Sequence, residues 1–501
     1  MLWQNTAASE PAIWIRGLSC RPAHLGAILS AGALFVLPIV LADTCYMDDA
    51  PRTMDGYGWT KSGRPLASLL MAFLGFRSRN LPDLAPLGQL AGIAFLSFAA
   101  WVFAARLFEA RRAEGMLPRL ACALPVFMQP FFLENLSYRY DCLPMSLAQG
   151  LGFLAPALFC GRTRRDGVGI CTSLLAILTL YQIGIDSFAA AVALIFIRRC
   201  QDGDARVGLQ TAGFQIACMV PTLLVYRVLI APFLRGTYTN DHDRLLGLHD
   251  GLVAGLSENV RNAVHLLGCL GFDAACILLY GLFAVAAVAV WSLALRTGRN
   301  GSLAASLLLM VSPFVLILSA PGLTLLLRHS IIEPRTMMGF SGVMVLIGLM
   351  VADGQRWMRV VAVLPLVFCL TLSFAYGNAM HERNRFDDGL ALSLADRLFS
   401  LGFTSNDQVM VYGKAPRSPE ADNATAIFPA LASLLPRDQL DDDGFFGTSR
   451  FQRNGLPVAD HDHADWLAAR AFIGPDTAVY RDASYSVFRH AGIFCVVFAA
   501  R

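Results

Sequence analysis

Apolar runs separated by short polar stretches occupy the first three quarters of the chain. A hydrocarbon core of about 30 Å needs roughly 20 mostly apolar residues per helix, and about eleven runs approach that length. These candidate segments are residues 25–42, 87–105, 120–133, 143–160, 168–183, 187–197, 207–230, 276–295, 303–318, 337–351 and 360–376. The pattern predicts a polytopic α-helical membrane protein.

Residues 168–197 are the shortest part of this pattern, because thirty residues must supply two crossings with YQIGIDS between them. Arginines flank both ends of the stretch, and a single crossing would put one basic group on the opposite side of the membrane. We therefore predict a short helical hairpin here.

The apolar runs stop after Tyr376, and charged residues become frequent. DQVMVYG predicts a strand, ATAIFPALASLLP predicts an amphipathic helix ended by Pro436, and YSVFRHAGIFCVVFA predicts two strands around a turn at Ala491 and Gly492. We predict two domains, a multi-spanning domain over residues 1–377 and a small α/β domain over 378–501.

The distribution of basic residues predicts the orientation. The chain is 55% hydrophobic and only 15% charged, which excludes an ordinary soluble domain, and its net charge of +3 says little about partners. Basic residues follow alternate segments, and they are Arg16, Arg21, Arg106, Arg111, Arg112, Arg162, Arg164, Arg165, Arg198, Arg199, Arg206, Arg296, Arg299, Arg356 and Arg359. Cytoplasmic loops carry such residues, so we expect the N-terminus inside and, after eleven crossings, the C-terminal domain outside.

The predicted outer loops hold most of the unusual polar residues. Charged groups at a membrane boundary usually have a partner or a function, so this face carries the candidate site. The candidates are Asp48, Asp49, Arg52, Trp59 and Arg64 in the first loop, Glu134, Tyr138, Arg139 and Asp141 in the second, Gln182 in the third, and Arg335 in EPRTM.

Three of these candidates are carboxylates that could act as a general base. An aspartate beside an acceptor hydroxyl can remove its proton during attack. Our order of preference is Asp49, Asp48 and Asp141. The alternative is that Asp48 and Asp49 form a solvated helix end and that Arg139 and Asp141, in a connecting turn, pair with each other or with lipid headgroups.

The other candidates suit the binding of a phosphate or a sugar. Arginine forks bind phosphate oxygens well, and aromatic rings stack on sugar faces. Trp59 and Tyr57 could instead belong to an interfacial aromatic belt. The predicted binding residues are Arg52, Trp59, Arg64, Glu134, Tyr138, Arg139, Gln182 and Arg335.

Two stretches of the C-terminal domain have a metal-like composition, DHDHADW at residues 460–466 and LDDDGF at residues 440–445. Alternating His and Asp in a polar loop is typically solvated, and LDDDGF lacks the spacing of a calcium loop. No histidine lies among the outer-loop carboxylates, so we expect no metal ligands, no cofactor and no obligatory metal. A divalent cation held by those carboxylates stays the open alternative.

The motifs DDAPR…GYGW…GRPLA and ENLSYRYDCLPMSLA resemble the Gtr-type, GtrII-like, O-antigen-modifying integral-membrane glucosyltransferases of bacteria. The resemblance implies kinship with the multi-spanning GT-C class and a location in the bacterial inner membrane, with the C-terminal domain in the periplasm. It implies polyprenyl-phosphate glucose as the sugar donor and a lipid-linked polysaccharide as the acceptor. An aspartate base that assists attack from the face opposite the leaving group predicts inverting transfer. We expect the bilayer as a further partner and no nucleic acid.

A second hypothesis is a polytopic transporter or flippase for a lipid-linked or anionic envelope precursor. Transporters place ionisable residues near the bilayer midplane, and Asp186, Arg227 and Asp273 lie within or near apolar segments. The clustering of carboxylates in the outer loops favours transfer chemistry.

Overall fold

The computed structural model describes residues 21–77, 80–111, 115–234, 236, 244–247, 251–271, 274–352, 354, 356–436, 440, 445–458, 463–474 and 478–499. Predictions that concern Arg16, Arg112 and Asp273, and parts of DHDHADW and LDDDGF, lie outside these residues.

Helices dominate the described chain up to residue 400. They are α1 (Pro22–Ala42), α2 (Asp49–Asp55), α3 (Pro65–Leu74), α4 (Leu87–Leu107), α5 (Met116–Ala123), α6 (Phe132–Ser137), α7 (Cys142–Leu158), α8 (Arg164–Leu180), α9 (Gly184–Gln201), α10 (Ala205–Val225), α11 (Ala231–Leu234), α12 (Leu252–Gly268), α13 (Ala274–Arg299), α14 (Leu303–Leu318), α15 (Phe340–Ala352), α16 (Arg356–Val361) and α17 (Leu364–Ser400). A π-helical segment, Tyr226–Ile230, joins α10 to α11, and short 3₁₀ turns occur at Leu124–Val126, Gly322–Leu326 and Pro334–Thr336.

Five described helices are long and apolar enough to cross a membrane. They are Pro22–Ala42, Leu87–Leu107, Ala205–Leu234, Ala275–Arg299 and Trp357–Ser400. Shorter apolar helices include α3, α7, α14 and most of α15. The prediction of a helical membrane protein is confirmed, and each of the eleven predicted segments overlaps a helix. The count of eleven crossings is not confirmed and stays a prediction.

The segment predicted at residues 120–133 is the least helical of the eleven. Helix α5 ends at Ala123, a 3₁₀ turn follows, and α6 begins only at Phe132. Pro125 and Pro130 lack the backbone N–H that a continuous helix needs. In contrast, residues 168–197 form the predicted pair of helices, because α8 and α9 are joined by a turn over residues 181–183.

Helix α17 is the longest element and connects the two parts of the chain. At 1.5 Å per residue its 37 residues extend about 55 Å, well beyond a hydrocarbon core of about 30 Å. The predicted domain boundary at 377/378 lies inside this helix. Its last turns, through Ala391, Leu394 and Leu398, pack in the core of the C-terminal part.

A four-stranded sheet forms the rest of that core. The strands β1 (Gln408–Tyr412), β2 (Ala478–Arg481), β3 (Tyr485–His490) and β4 (Ile493–Phe498) lie in the order β1-β4-β3-β2, with β1 parallel to β4 and the other pairs antiparallel. The helices between them are α18 (Pro419–Ile427), α19 (Leu431–Leu434), α20 (Phe445–Arg453) and α21 (His463–Ala469). The small C-terminal α/β fold is therefore confirmed.

The predicted strands β1, β3 and β4 are confirmed, and the turn between the last two has φ values of 45° at Ala491 and 80° at Gly492. The single helix predicted over ATAIFPALASLLP is wrong, because α18 ends before Phe428 and α19 starts at Leu431. Proline at 429 disfavours the helical conformation of Phe428 and removes a backbone donor. Strand β2 was not predicted.

Candidate active site

The first loop, which the sequence predicts to lie outside, leaves α1 through two residues with left-handed backbone. Asp43 has φ of 46°, and Met47 has φ of 44°. Asp48 follows Met47 directly, and Asp49 is the first residue of α2. A positive φ is unfavourable for a side chain such as that of methionine. The surrounding contacts therefore hold this turn, and the turn sets the direction of the two carboxylates.

Asp49 is fully buried, and backbone N–H groups surround its carboxylate. Oδ2 accepts hydrogen bonds from the N–H groups of Tyr46 at 3.1 Å and Arg139 at 2.8 Å, and Oδ1 accepts one from Tyr140 at 3.4 Å. Burial raises the pKa of Asp49 to about 7, although the backbone hydrogen bonds oppose this effect. The carboxylate thus joins the first outer loop to the second, and little of it faces an acceptor hydroxyl.

Asp141 lies at the start of α7 and pairs with two arginines of the first loop. Arg52 Nη1 donates a hydrogen bond to Asp141 Oδ2, and Arg64 Nη1 lies 3.8 Å from Asp141 Oδ1. Arg52 and Asp141 are both buried, whereas Arg64 is half-buried. We call Arg52, Arg64 and Asp141 the first-loop cluster.

Aromatic rings support both guanidinium groups of this cluster. The Arg52 guanidinium carbon lies 4.5 Å from the ring centre of Trp59 and 4.8 Å from that of Tyr57. The Arg64 guanidinium carbon lies 4.5 Å from the ring centre of Tyr181. Such contacts favour a cation over the ring face. Trp59 is buried, and its ring contacts the guanidinium of Arg52.

Gln182 connects Arg64 to its surroundings. Its Oε1 accepts a hydrogen bond from Arg64 Nε at 2.9 Å, and its Nε2 donates to the carbonyl oxygen of Ser62 at 3.1 Å and to the hydroxyl of Tyr226 at 3.0 Å. The tight turn between α8 and α9 therefore fixes the orientation of Arg64. Tyr226 was not among the predicted site residues, because it lies inside an apolar segment.

A second group of charges forms around Arg335, and we call Glu134, Tyr138, Glu333 and Arg335 the EPR cluster. The guanidinium of Arg335 donates to the Tyr138 hydroxyl and pairs with Glu333 at 2.7 Å, and its Nε lies 3.9 Å from Glu134. The backbone N–H of Arg335 donates to Glu134 Oε2 at 2.7 Å. Burial raises the pKa of Glu134, while Arg335 lowers it.

Asp48 is half-buried, and charged groups of both clusters act on its carboxylate. Burial raises the pKa of Asp48, the charges of Arg335, Arg52 and Arg64 lower it, and that of Asp141 raises it. No side chain or backbone donor among the described residues forms a hydrogen bond to its carboxylate. Of the three predicted bases, Asp48 is therefore the one that is only half-buried and whose carboxylate has no hydrogen-bond donor among the described residues.

Arg139 points away from these clusters. Its side chain pairs with Asp43 at 2.5 Å and with Asp83 at 2.6 Å, so it joins the end of α1 to the segment before α4. The alternative in which Arg139 and Asp141 pair with each other is not found, because each has partners elsewhere. Asp43 and Asp83 were missed from the sequence, where nothing distinguishes them from other exposed aspartates.

A cavity of about 410 Å³ opens beside the EPR cluster. We call it the EPR-side cavity, and its polar lining includes Glu134, Glu333, Asn262 and His265, with Ser433 from the C-terminal part of the chain. Asn262 and His265 were not predicted, although their spacing of three residues on the amphipathic helix α12 puts them on one face. Among the described residues, no group of three or more His, Cys, Asp or Glu side chains is placed to hold a metal ion.

The fold and this arrangement define a polytopic membrane protein with a charged site built by the loops that connect its helices. A family model described as Glucosyl transferase GtrII matches residues 37–346, more than half of the chain. The chain belongs to this family and is a membrane glycosyltransferase, which confirms the resemblance inferred from the outer-loop motifs.

One curated relative comes from Salmonella phage P22. The chain is 23% identical over 448 residues to the "Uncharacterized 55.3 kDa protein in gtrB 5'region" of that phage, covering 85% of this chain and 89% of the relative. No solved structure matches the chain significantly.

Proposed function

We propose that the protein transfers a glucosyl unit from a polyprenyl-phosphate donor to a lipid-linked polysaccharide such as O-antigen, on the periplasmic face of the bacterial inner membrane. The GtrII family match supports glucosyl transfer, and the similarity to a phage protein from the gtrB 5′ region supports a role in O-antigen modification. The orientation rests on the alternation of basic loops along the sequence.

The position of Asp48 is the observation that carries this proposal. It is half-buried, charges of both the first-loop cluster and the EPR cluster act on its carboxylate, and that carboxylate has no hydrogen-bond donor among the described residues. A general base needs access to the hydroxyl that it deprotonates, and Asp49 lacks that access because backbone N–H groups occupy its carboxylate. This supports Asp48 as the base and Asp49 as a positioning residue.

In the proposed step, the acceptor hydroxyl oxygen attacks the anomeric carbon of the donor sugar as Asp48 takes the hydroxyl proton. The new glycosidic bond forms while the bond between the anomeric carbon and the phosphate oxygen breaks. The polyprenyl phosphate leaves with that electron pair. Attack from the face opposite the leaving group inverts the anomeric configuration.

The arginines of the first-loop cluster suit the leaving phosphate. Arg64 lies 3.8 Å from Asp141, too far for a hydrogen bond, and its side chain is partly exposed, so a phosphate oxygen can compete for its guanidinium. Arg52 is buried and bonded to Asp141, which holds its charge in place beneath Arg64. The guanidinium of Arg139, unlike that of Arg64, forms two close ion pairs, with Asp43 and Asp83, so a phosphate would have to displace both carboxylates. This supports a structural role for Arg139.

The transporter alternative has less support. Asp186 is buried, and its carboxylate accepts a hydrogen bond from the backbone N–H of Leu323 at 3.1 Å. Gly322, with φ of 50°, lies so close that a Cβ there would overlap the Asp186 carboxylate. These contacts suit an aspartate that fixes one helix against a neighbouring turn.

A reconstituted assay tests the proposal. Full-length protein in liposomes is given polyprenyl-phosphate glucose with labelled sugar and lipid-linked O-antigen from a strain that lacks the gene. Product linkage and anomeric configuration are read by mass spectrometry and NMR. Inverted glucosyl linkages formed by the wild type support the proposal, and movement of the donor across the bilayer without any glycosidic product would overturn it.

A further inference from the structure

We propose that the EPR-side cavity binds the acceptor saccharide and that the C-terminal part of the chain, through residues 432–435, forms one wall of this subsite. The inference rests on the proposed function, because it assigns a position to the second substrate of the same reaction. Three observations carry it: the chemistry of the lining, the position of the cavity relative to Asp48, and the attachment of its C-terminal wall.

The size and lining of the cavity suit a sugar. Its volume of about 410 Å³ lies within the range of small-molecule sites, about 300–1,000 Å³. Glu134, Glu333, Asn262, His265 and Ser433 supply hydrogen-bonding groups, and Leu266, Ile332 and Leu435 supply apolar surface. Hydroxyl groups and C–H faces alternate on a sugar ring, so this mixture fits a saccharide.

The same lining disfavours the donor phosphate. Two acidic side chains line the cavity wall beside Arg335: Glu333 pairs with its guanidinium at 2.7 Å, and Glu134 accepts a hydrogen bond from its backbone N–H at 2.7 Å. An anionic phosphodiester would meet two carboxylates here, whereas the first-loop cluster offers Arg64 with a weaker partner. Electrostatics therefore separate the two substrates, with the phosphate near Arg52 and Arg64 and the uncharged saccharide in the cavity.

The cavity is lined by the residues that directly precede the proposed base, although Asp48 itself does not line it. Met47, the residue before Asp48, lines it together with Tyr46, and Glu134 belongs both to its wall and to the EPR cluster. Arg335, from the same cluster, exerts the largest charge effect on the pKa of Asp48. A saccharide in the cavity would thus present its hydroxyl groups next to the left-handed turn that directs Asp48.

The C-terminal wall is tied to the membrane-proximal loops by buried hydrogen bonds. The carbonyl oxygen of Leu434 accepts from the hydroxyl of Tyr46 at 2.7 Å and from that of Tyr376 at 3.2 Å. Tyr376 and Ser137 also share a hydrogen bond of 2.8 Å. The wall is therefore held at a fixed position next to Tyr46, which lines the same cavity two residues before Asp48.

Filling the cavity is the direct test. Ser433→Trp places a large ring into the cavity from the C-terminal wall, and Val264→Trp adds the same ring at an exposed position of α12 that does not line it. Steady-state kinetics use full-length protein in liposomes, with the donor and acceptor lipids of the assay above varied separately. We expect Ser433→Trp to raise the KM for the acceptor at least tenfold while the KM for the donor stays within twofold, and Val264→Trp to match the wild type.

A second, smaller substitution keeps the inference testable if Ser433→Trp does not fold. His265→Ala removes one hydrogen-bonding group, a change worth about 0.5–1.5 kcal/mol, and should raise the acceptor KM by about two- to tenfold at normal protein abundance. An unchanged acceptor KM in both variants would overturn the inference, as would a rise in the donor KM instead. Wild-type protein that forms no glycosidic product would overturn the proposed function itself, so the two failures are distinguishable.

Discussion

The backbone N–H of Arg139 donates a hydrogen bond of 2.8 Å to Oδ2 of Asp49. The two residues are 90 positions apart in the chain, so this bond joins the loop after α1 to the loop before α7. The same oxygen also accepts the N–H of Tyr46. Because the carboxylate is buried, losing an acceptor here leaves a backbone donor without a partner in a site that excludes water.

We expect Asp49→Asn to reduce stability. The amide has one acceptor oxygen, and its NH₂ group would face a backbone N–H, which leaves at least one buried donor unsatisfied at a cost of about 1–3 kcal/mol. Thermal unfolding of detergent-purified protein and abundance in the membrane measure the effect. Asp55→Asn, at the exposed end of the same helix, is the control and should resemble the wild type. Normal stability together with lost transfer would instead make Asp49 the base.

Asp48→Asn should abolish most transfer without loss of folded protein. The substitution keeps the size of the half-buried side chain but removes the proton acceptor, so we expect a decrease in kcat of roughly 10²-fold or more. The liposome assay measures the rate, and unfolding temperature reports the fold. A rate near that of the wild type would exclude Asp48 and direct attention to Asp141.

The pH dependence of transfer should reflect the ionisation of Asp48. A general base acts when deprotonated, so transfer should be complete above the pKa of Asp48 and fall as the pH is lowered through it. Burial raises this pKa above its ordinary value, so the acid limb of kcat/KM should lie above the value of about 3.9 for an exposed aspartate. Residual activity of Asp48→Asn should lack this limb. An identical limb in that variant would assign the titration to another group.

The two kinds of arginine should respond differently to substitution. Arg64→Gln removes a charge-assisted contact worth about 1.5–3 kcal/mol, so we expect the KM for polyprenyl-phosphate glucose to rise about 10- to 100-fold. Arg139→Gln should leave that KM unchanged and lower the unfolding temperature, since Arg139 pairs with Asp43 and Asp83. Parallel donor titrations and melting curves for both variants make the comparison. A higher donor KM in the Arg139 variant alone would reverse these roles.

The orientation of the chain is tested at its C-terminus. With eleven crossings and an inside N-terminus, a reporter active only in the periplasm and fused after Arg501 should give a signal. The same fusion with a cytoplasm-only reporter should be silent. A cytoplasmic signal would show an even number of crossings, and the pair α8 and α9 would be the first region to re-examine, since their helices have only 17 and 18 residues.

Local sequence patterns determined the elements whose signal lies within a few residues. Apolar runs located the helices, alternation located β1, β3 and β4, and the motif DDAPR located the charged turn after α1. The prediction over ATAIFPALASLLP failed at Pro429, where a local break outweighed the helical periodicity on both sides. The number of crossings did not follow from the pattern alone, because several apolar helices are shorter than a membrane span requires.

Only the tertiary structure distinguished Asp48 from Asp49. As neighbours with the same side chain they are equivalent in sequence, but a helical backbone rotates successive side chains by about 100°, so they point in different directions. Asp49 is buried and accepts hydrogen bonds from the backbone of residues 139 and 140. Asp48 is half-buried, and arginines from distant segments act on its carboxylate. The sequence by itself indicated that carboxylates and arginines gather in the loops predicted to lie on one face. Which of them is accessible depends on contacts between residues far apart in the chain, and such contacts exist only once the helices have packed.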